Sequence, residues 1–239
     1  MRKILFLFLI SLTILSCNNP TKDIEMIYIH GDSFYMGSDN YLSQPDERPA
    51  QLVSIKSFYL SKYEVTQELW TYVMRFNPSY SKHPNKPVES VSFNDIEIFL
   101  KRLNNLTGRY YRLPSEAEWE FAACSRNYSQ PYSGSHIIDS VAWYKNNSDE
   151  KSHKVGMLSP NSYGLYDLTG NVHEWCSDNY YGTNYKGDSV IQLSNEIHKV
   201  FRGGSFYSDI EHCRIKNRNY AVANSRNFSL GFRLAHDVE

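Results

Sequence analysis

Three short segments with clear helix-start signals lie between residues 66 and 124. Thr66, Ser92 and Ser115 each precede one of them, and such residues favour helix starts because their side-chain oxygens accept hydrogen bonds from unpaired backbone amides. Acidic residues three positions after Ser92 and Ser115 complete capping boxes. The pattern predicts three helices, the second ending at Gly108.

Outside these helices the chain carries only short strand signals. Residues 26–38 are apolar and β-branched around Gly31, which predicts two strands joined by a turn, and residues 51–65 predict another strand pair. After Cys124 the regular pattern fades into a stretch rich in Asn, Ser, Tyr and Gly. We find neither a repeat of roughly 20–50 residues nor a clear linker. The chain is therefore predicted to form a single α+β domain with much irregular structure.

The first seventeen residues have the pattern of a bacterial lipoprotein signal. Two basic residues precede an apolar stretch at 4–16, which is shorter than the roughly 20 residues that span a bilayer as a helix. Cys17 stands where the apolar stretch stops. We predict a signal peptide over residues 1–16, lipidation of Cys17 and a polar tether over residues 17–23. The alternative is an ordinary signal peptide with an incidental cysteine. If the lipoprotein prediction is correct, the protein belongs to the bacterial cell envelope, at the outer membrane or the cell surface.

Charge and cysteine content narrow the choice of partners. Lys and Arg number 25 and Asp and Glu number 26, so no basic excess exists to neutralise phosphates, and a nucleic-acid partner is not expected. Membrane contact is expected through the lipid anchor only. Beyond Cys17 the chain has Cys124, Cys176 and Cys213. Because three is an odd number, at least one of these thiols lacks a disulfide partner within the chain.

Eight short motifs follow one another in a specific order along the chain. They are GDSFYMGS (31–38), DERP (46–49), FYLSKYEVT (58–66), PVESVSFNDI (87–96), YRLPSEAEWEFAA (111–123), NSYGLYDLTGNVHEW (161–175), FRGGSF (201–206) and GFRLA (231–235). This order resembles the formylglycine-generating enzyme, or sulfatase-modifying factor, family. The resemblance covers residues 24–236 and implies a variant of the C-type lectin fold. Fold alone does not establish a function.

The resemblance implies a copper site that this sequence keeps only in part. Oxidases of the family hold copper(I) with two cysteine thiolates after a Gly-Gly-Ser turn, and soft thiolates suit this soft ion. Here the first position falls on Ser208 and the second on Cys213, while Ser205 matches a serine of the active-site region. A serine hydroxyl cannot replace a thiolate, so copper is not expected. These three residues are therefore only vestigial or divergent catalytic candidates. His173 stands where the family usually has tryptophan.

The resemblance also implies a structural calcium site in the DLTGNVHEW motif, residues 167–175. The side chains of Asp167 and Glu174 and the carbonyl groups of Gly170 and Val172 match the family's ligands residue by residue. Hard oxygen ligands from a tight loop suit calcium. The alternative is a turn held by hydrogen bonds alone.

Residues 203–235 combine constant-looking motifs with positions that look variable. GGS, CR, NR and GFRLA frame positions that hold Tyr, Ser, Asp, His, Asn and Phe. This is similar to the C-terminal variable regions of proteins diversified by retroelements, which often carry this fold and some of which are surface lipoproteins. Their template copies Asn codons with errors at adenine, and the residues at these positions can all arise in that way. The alternative is an ordinary polar loop region of a non-catalytic family member.

The composition of these positions suits a binding surface. Tyr and Phe supply large rigid contacts, while Ser and Asn supply adaptable hydrogen bonds. The predicted contacts to a protein or glycan ligand are Phe206, Tyr207, Ser208, Asp209, His212, Asn219, Tyr220, Asn224, Asn227 and Phe228.

Three functions follow from these observations. The favoured one is a lipid-anchored, exported protein that binds a ligand and does not catalyse. The second is a divergent oxidase that acts on a protein or thiol substrate, with altered chemistry at Ser205, Cys213 and His173. The third is an envelope scaffold lipoprotein. Copper or iron at stoichiometry would favour the oxidase, whereas loss of binding on changing Tyr207 or Tyr220 would favour the binder.

Overall fold

Three helices and nine short strands form the regular structure of residues 19–182 and 196–238, the part of the chain that the computed structural model describes. In chain order they are β1 (Met26–Ile29), β2 (Ser33–Met36), β3 (Gln51–Ser54), β4 (Phe58–Ser61), α1 (Gln67–Met74), α2 (Phe93–Thr107), α3 (Glu116–Cys124), β5 (His173–Asn179), β6 (His198–Arg202), β7 (Asn219–Val222), β8 (Leu230–Gly231) and β9 (Ala235–Asp237). The expected signal peptide (1–16) and lipidation site (Cys17) lie outside the described residues. The α+β class predicted from the sequence is confirmed.

The three predicted helix starts are confirmed by their capping contacts. The Thr66 hydroxyl accepts a hydrogen bond from Leu69 N at 3.3 Å. The other two helices begin with complete capping boxes, formed by Ser92 with Asp95 and by Ser115 with Glu118. Gly108 ends α2 in the left-handed conformation, with φ 70°. The four predicted strands of 26–38 and 51–65 are present as β1 to β4, but β1 pairs with β4 and β2 with β3, so the predicted pairing within 51–65 is wrong.

The strands of the described residues form three small sheets. In the first, β4 lies between β1 and β9, and both neighbours run antiparallel to it. In the second, β2 pairs antiparallel with β3. The third has the order β7-β6-β5-β8, in which β5 and β8 run parallel. Because β1 and β9 flank the same strand, the two ends of the domain meet in one sheet.

Two apolar clusters provide the packing partners that the short helices need. The first surrounds Trp70 of α1, whose ring stacks on Phe99 of α2 with centroids 5.1 Å apart and meets Phe232 edge-on at 6.1 Å. The second surrounds Trp119 of α3 and joins this helix to the strands. The helices are therefore held by tertiary contacts rather than by their own propensity.

Buried arginines connect the helices and strands that carry the site. Arg202 at the end of β6 is fully buried and pairs with Glu116 and Glu120 of α3, each at 2.6 Å. Arg233 is also fully buried and pairs with Glu174 of β5 at 2.7 Å. These ion pairs hold β5 and β6 in place at the point where the turns that carry the site leave the sheet.

The first described residues form a turn against the domain. Asn19 Oδ1 accepts hydrogen bonds from the backbone amide and hydroxyl of Thr21, at 3.1 and 2.7 Å, and Lys22 N donates to Asn19 O at 3.0 Å. Pro20 is buried. The described part of the expected tether (17–23) is therefore packed on the domain. Within residues 19–182 and 196–238, no helix is long and apolar enough to cross a membrane.

Candidate functional site

A tight turn directly after β6 builds the centre of the site. Gly203 and Gly204 have φ values of 97° and 73°, which residues with a Cβ atom rarely adopt. A Cβ atom on Gly204 would stand 2.7 Å from Cys213 Sγ, so this glycine also permits the close approach of a later segment. The turn directs the following residues into the domain, where Ser205 is fully buried and Ser208 is nearly so.

The two serines form a chain of hydrogen bonds with His173 of β5. Ser205 Oγ and Ser208 Oγ are 3.0 Å apart, and Ser205 N also donates to Ser208 Oγ at 3.0 Å. Ser208 Oγ lies 3.3 Å from His173 Nε2. Burial, with a smaller effect of the nearby His212, lowers the pKa of His173 to about 4, so its imidazole is neutral at pH 7. The group at the centre of the site is therefore uncharged.

Cys213 lies against the same turn, and its thiol is unreactive. Its side chain is fully buried, and this burial raises the pKa of the thiol to about 12. A thiol protonated at neutral pH is a poor nucleophile and a poor metal ligand. The structure thus brings the catalytic candidates Ser205, Ser208 and Cys213 together, but as two hydroxyls and one protonated thiol. This set of donors does not fit copper(I), which needs two thiolates.

Exposed aromatic rings lie next to these buried groups. Tyr207 is 51% exposed and Phe228 is 43% exposed, and their rings meet edge-on with centroids 5.6 Å apart. Phe206 packs against Phe228 at 5.8 Å and is itself buried. Asp209 pairs with Lys145 at 2.9 Å, and both side chains are exposed. We call the exposed residues Tyr207, Asp209, His212 and Phe228 the Tyr207 patch.

A second aromatic group lies at β7. The Tyr220 ring stacks on Tyr180 with centroids 4.1 Å apart, and His198 meets Tyr220 edge-on at 5.5 Å. Sequence reasoning missed Tyr180 and Lys145, because each lies far along the chain from the residue that it contacts. No local pattern signals either pair.

The structure divides the ten predicted contact residues by exposure. Those exposed are Tyr207, Asp209, His212, Tyr220, Asn224, Asn227 and Phe228, while Asn219 is half-buried and Phe206 and Ser208 are buried. The two buried side chains cannot offer a contact surface, because the turn after β6 directs them inward. They support the Tyr207 patch from beneath.

The expected calcium turn is held by buried charges. Asp167 accepts a hydrogen bond from Gly156 N at 2.7 Å. The two oxygens of Glu174 accept from the Arg233 guanidinium, each at 2.7 Å. Glu64, which sequence reasoning missed although it lies in the FYLSKYEVT motif, accepts from Val172 N at 3.1 Å. Three buried carboxylates are therefore grouped around one guanidinium.

The excess of negative charge on these carboxylates favours binding of a cation, but not all of the expected ligands are free to hold it. Burial, followed by repulsion from Asp167 and Glu174, raises the pKa of Glu64, and burial raises the pKa of Asp167 to about 6. A divalent cation would relieve that excess. Glu174, however, is committed to Arg233, and no three His, Cys, Asp or Glu side chains of the described ranges are placed to hold a metal ion together. The donors that fit calcium are thus the Asp167 carboxylate and the carbonyl oxygens that the family resemblance implies.

Fold and comparisons together define the class of protein. Three small sheets, one of which holds both the first and the last strand of the domain, with long irregular segments between, are the C-type-lectin-like α+β architecture in its formylglycine-generating-enzyme variant. The family model described as FGE-sulfatase, a sulfatase-modifying factor enzyme 1-like domain, matches residues 15–238. The chain belongs to this family, as its ordered motifs predicted.

Three known proteins illustrate the similarity. Chaperone protein LppX of Paenibacillus barcinonensis is 29% identical over 268 residues, which cover 90% of each chain. The structure of Treponema denticola variable protein 1 has a TM-score of 0.77 and 28% identity, and the match covers 89% of this chain and 95% of that one. The structure of PvdO from Pseudomonas aeruginosa has a TM-score of 0.75 and 29% identity, covering 89% and 94%.

Proposed function

We propose that this protein is exported and lipid-anchored, and that it binds a protein or glycan ligand without catalysing a reaction. The observation that carries the proposal is the contrast at the turn after β6. The position of the first copper thiolate holds the buried hydroxyl of Ser208, and the thiol of Cys213 is protonated. Immediately beside them stand the exposed rings of Tyr207 and Phe228. Such a site suits contact rather than chemistry.

The support beneath the Tyr207 patch favours binding. Phe206 holds Phe228 from below, and the serine–histidine hydrogen bonds hold the turn that carries Tyr207. Rings that are already in place lose little conformational freedom when a ligand arrives, which strengthens binding. Similarity to Treponema denticola variable protein 1 supports a surface that varies while the fold stays constant.

A binding screen tests this proposal. Wild type and Tyr207→Ala are applied to the same glycan array and the same peptide-display library. Tyr110→Ala is the matched control, since Tyr110 is 77% exposed and lies outside the patch. We expect glycans or peptides that bind wild type and the control but lose at least about tenfold in affinity with Tyr207→Ala. Equal binding by all three proteins would contradict a role of the Tyr207 patch in ligand binding.

The gene itself offers a second test. We expect its flanks to contain a near-copy of the segment that encodes residues 202–235, differing only where the copy has adenine, beside a reverse transcriptase gene. Its absence would mean that the surface does not vary by this route.

Metal content and oxidation separate the binder from the divergent oxidase. The purified protein is loaded with copper(I), analysed for bound metal and incubated with a cysteine peptide. We expect no stoichiometric copper and no aldehyde product. Conversion of the cysteine to formylglycine would overturn the non-catalytic proposal.

The envelope scaffold stays a second candidate because of the similarity to chaperone protein LppX across nine-tenths of both chains. A scaffold or chaperone should co-purify with envelope partners, and Tyr207→Ala and Tyr220→Ala should leave those partners bound. A binder should lose its ligand with the same substitutions.

Anchoring and calcium are tested separately. Growth with a labelled fatty acid should label the full chain and leave Cys17→Ser unlabelled.

For calcium, we propose a structural ion held by Asp167 and the carbonyl oxygens of Gly170 and Val172. Calcium should raise the melting temperature of wild type, chelation should reverse the rise, and Asp167→Asn should abolish it. Equal melting temperatures with and without calcium would contradict the site.

A further inference from the structure

A groove beside the first described turn forms a second surface, separate from the Tyr207 patch. Its volume is about 630 Å³, and it lies between Pro20, helix α1 and the segment that follows α1. Its charged lining residues are Arg75, Lys82 and Glu68, with His83 next to Lys82. Two cations against one carboxylate give the groove a net positive charge. We call it the Arg75 groove.

The two cations of the Arg75 groove are available to a ligand. Across residues 19–182 and 196–238, neither Arg75 nor Lys82 has a carboxylate within ion-pair distance, and both are exposed. The Arg75 guanidinium lies over the Tyr72 ring at 5.3 Å, and Lys82 Nζ donates to the carbonyl of Asn77. An unpaired guanidinium and an unpaired ammonium in one groove form a natural site for a phosphate group.

Two exposed aromatic side chains follow in the segment after α1. Phe76 is 52% exposed and Tyr80 is 86% exposed. Large rings beside cations are typical of protein surfaces that meet a membrane at the level of the headgroups, where the ring enters the interface and the cations face anionic phosphate. The rings do not line the groove itself, but Phe76 directly follows Arg75 and Tyr80 lies two residues before Lys82, so exposed apolar surface and positive charge occur in the same segment.

The position of the groove along the chain points to the same occupant. Pro20 lines the groove and is buried, and only Asn18 and Asn19 separate it from Cys17. At the length of a fully extended chain, the Cα atoms of Cys17 and Pro20 can be at most roughly 11 Å apart. A lipid on Cys17 would therefore keep the Arg75 groove within reach of the headgroups of the bilayer.

We propose that the Arg75 groove binds the phosphate-bearing headgroup of an anionic phospholipid and thereby fixes the orientation of the domain on the membrane. The inference rests on the lipid anchoring proposed above. Arg75 and Lys82 contact the phosphate, Phe76 and Tyr80 enter the interface beside it, and Glu68 limits how much negative charge the groove accepts. The anchor alone would leave the domain free to rotate on its short connection.

Vesicle binding without the anchor tests the groove. The chain from residue 17 with Cys17→Ser keeps every described residue and is sedimented with vesicles of phosphatidylcholine, or of phosphatidylcholine with phosphatidylglycerol. We expect binding to the anionic vesicles only, weakening as salt rises. Arg75→Glu/Lys82→Glu should lower this binding at least about tenfold. The matched control is Lys101→Glu/Arg102→Glu, which changes the charge equally on exposed residues of α2 and should have less than about a twofold effect.

Several outcomes would overturn the proposal. They are equal binding to both kinds of vesicle, an equal loss in the control variant, and binding of inorganic phosphate by a protein that does not sediment with anionic vesicles, which would mean a free phosphate ligand. Circular dichroism checks that all variants are folded. Because this protein carries no lipid, its result is independent of the fatty-acid label on Cys17. If the unlipidated protein binds anionic vesicles but the full chain takes up no fatty acid at Cys17, the anchor is wrong and the groove proposal stands. If Cys17 is labelled but the unlipidated protein does not bind the vesicles, the groove proposal is wrong and the anchor stands.

Discussion

Ser208 decides the chemistry of the site through a single atom. Its Oγ stands at the position that the family resemblance assigns to the first copper(I) thiolate, and it is hydrogen-bonded to Ser205 and His173. Because an uncharged hydroxyl satisfies these neighbours without a metal, the turn can fold stably with no ion bound. A serine in place of a cysteine at position 208 is therefore compatible with the fold, but it removes one of the two thiolates that copper(I) needs.

The three cysteines of the domain should be unreactive in the folded protein. Burial raises the pKa of Cys124 and Cys213 to about 12 and also raises that of Cys176, and none of them forms a disulfide. With Cys17→Ser, Ellman's reagent at pH 8 should label no thiol before denaturation and all three in guanidinium chloride. Labelling of a thiol in the native protein would contradict this burial.

The same pKa shifts give a stability change with a definite sign. A thiol whose pKa is raised on folding holds its proton more strongly in the native state, so its contribution is complete below about pH 9 and is lost as the pH rises towards 12. The urea midpoint should fall between pH 9 and pH 11, and Cys213→Ala should reduce that fall. An unchanged slope in Cys213→Ala would contradict the assignment to this thiol.

Gly204 should be the least replaceable residue of the turn. Gly204→Ala would combine a positive φ with a Cβ atom 2.7 Å from Cys213 Sγ, so we expect a loss of about 2–4 kcal/mol. Gly108→Ala is the matched control, because Gly108 has φ 70° but no atom within 4 Å of the added Cβ, and it should cost about 1 kcal/mol. Equal losses in urea unfolding would show that the contact with Cys213 is unimportant.

Among the secondary-structure elements, helix starts depend on contacts between residues close in the sequence, whereas strand pairing depends on contacts between distant segments. The capping boxes of α2 and α3 join residues three positions apart, and they are found where the sequence predicts them. β5 instead pairs with β6 on one side and, in parallel, with β8 on the other. Nothing near β5 in the sequence indicates these partners, because the pairing depends on how distant segments pack.

Ser115→Ala should weaken α3 by a predictable amount. The Ser115 hydroxyl accepts from Glu118 N at 3.2 Å, and loss of such a cap costs about 1 kcal/mol. Ser159→Ala, at an exposed position, is the control and should change the free energy of unfolding by less than about 0.5 kcal/mol. A loss as small as the control's in chemical denaturation would mean that tertiary contacts alone hold the helix start.

At the scale of the whole molecule, one buried guanidinium joins several distant segments. Arg233 pairs with Glu174, donates to the carbonyls of Ser61 and Tyr166, and is the cation nearest to Glu64 and Asp167. Removing it would leave buried carboxylates without a counter-charge. The ion pairs at the surface carry no such role, since water replaces a lost partner.

Arg233→Met should therefore destabilise the domain by about 3–5 kcal/mol. Arg226→Met is the matched control, because Arg226 pairs with Asp95 at 2.8 Å but is half exposed, and it should cost less than about 1 kcal/mol. Thermal and urea unfolding of both variants provide the comparison. Similar losses in the two would contradict the importance of burial for this ion pair.

The candidate site could be predicted only in part. The family resemblance assigned Ser205, Ser208 and Cys213 to one site, and the structure brings them together. The sequence could not indicate that Glu64 faces the turn that begins at Asp167 or that Tyr180 stacks on Tyr220. Those contacts join segments far apart in the chain.

The helix starts, the family and the serine at the family's first copper position were predictable from the sequence alone. Each of these depends on residues close together in the chain or on the chemistry of one side chain. The folded structure was needed to show which variable-looking residues are exposed, which carboxylates share Arg233, and that Pro20 lies beside the Arg75 groove. Burial and distances between remote segments arise from packing of the whole domain, and a linear pattern does not contain them.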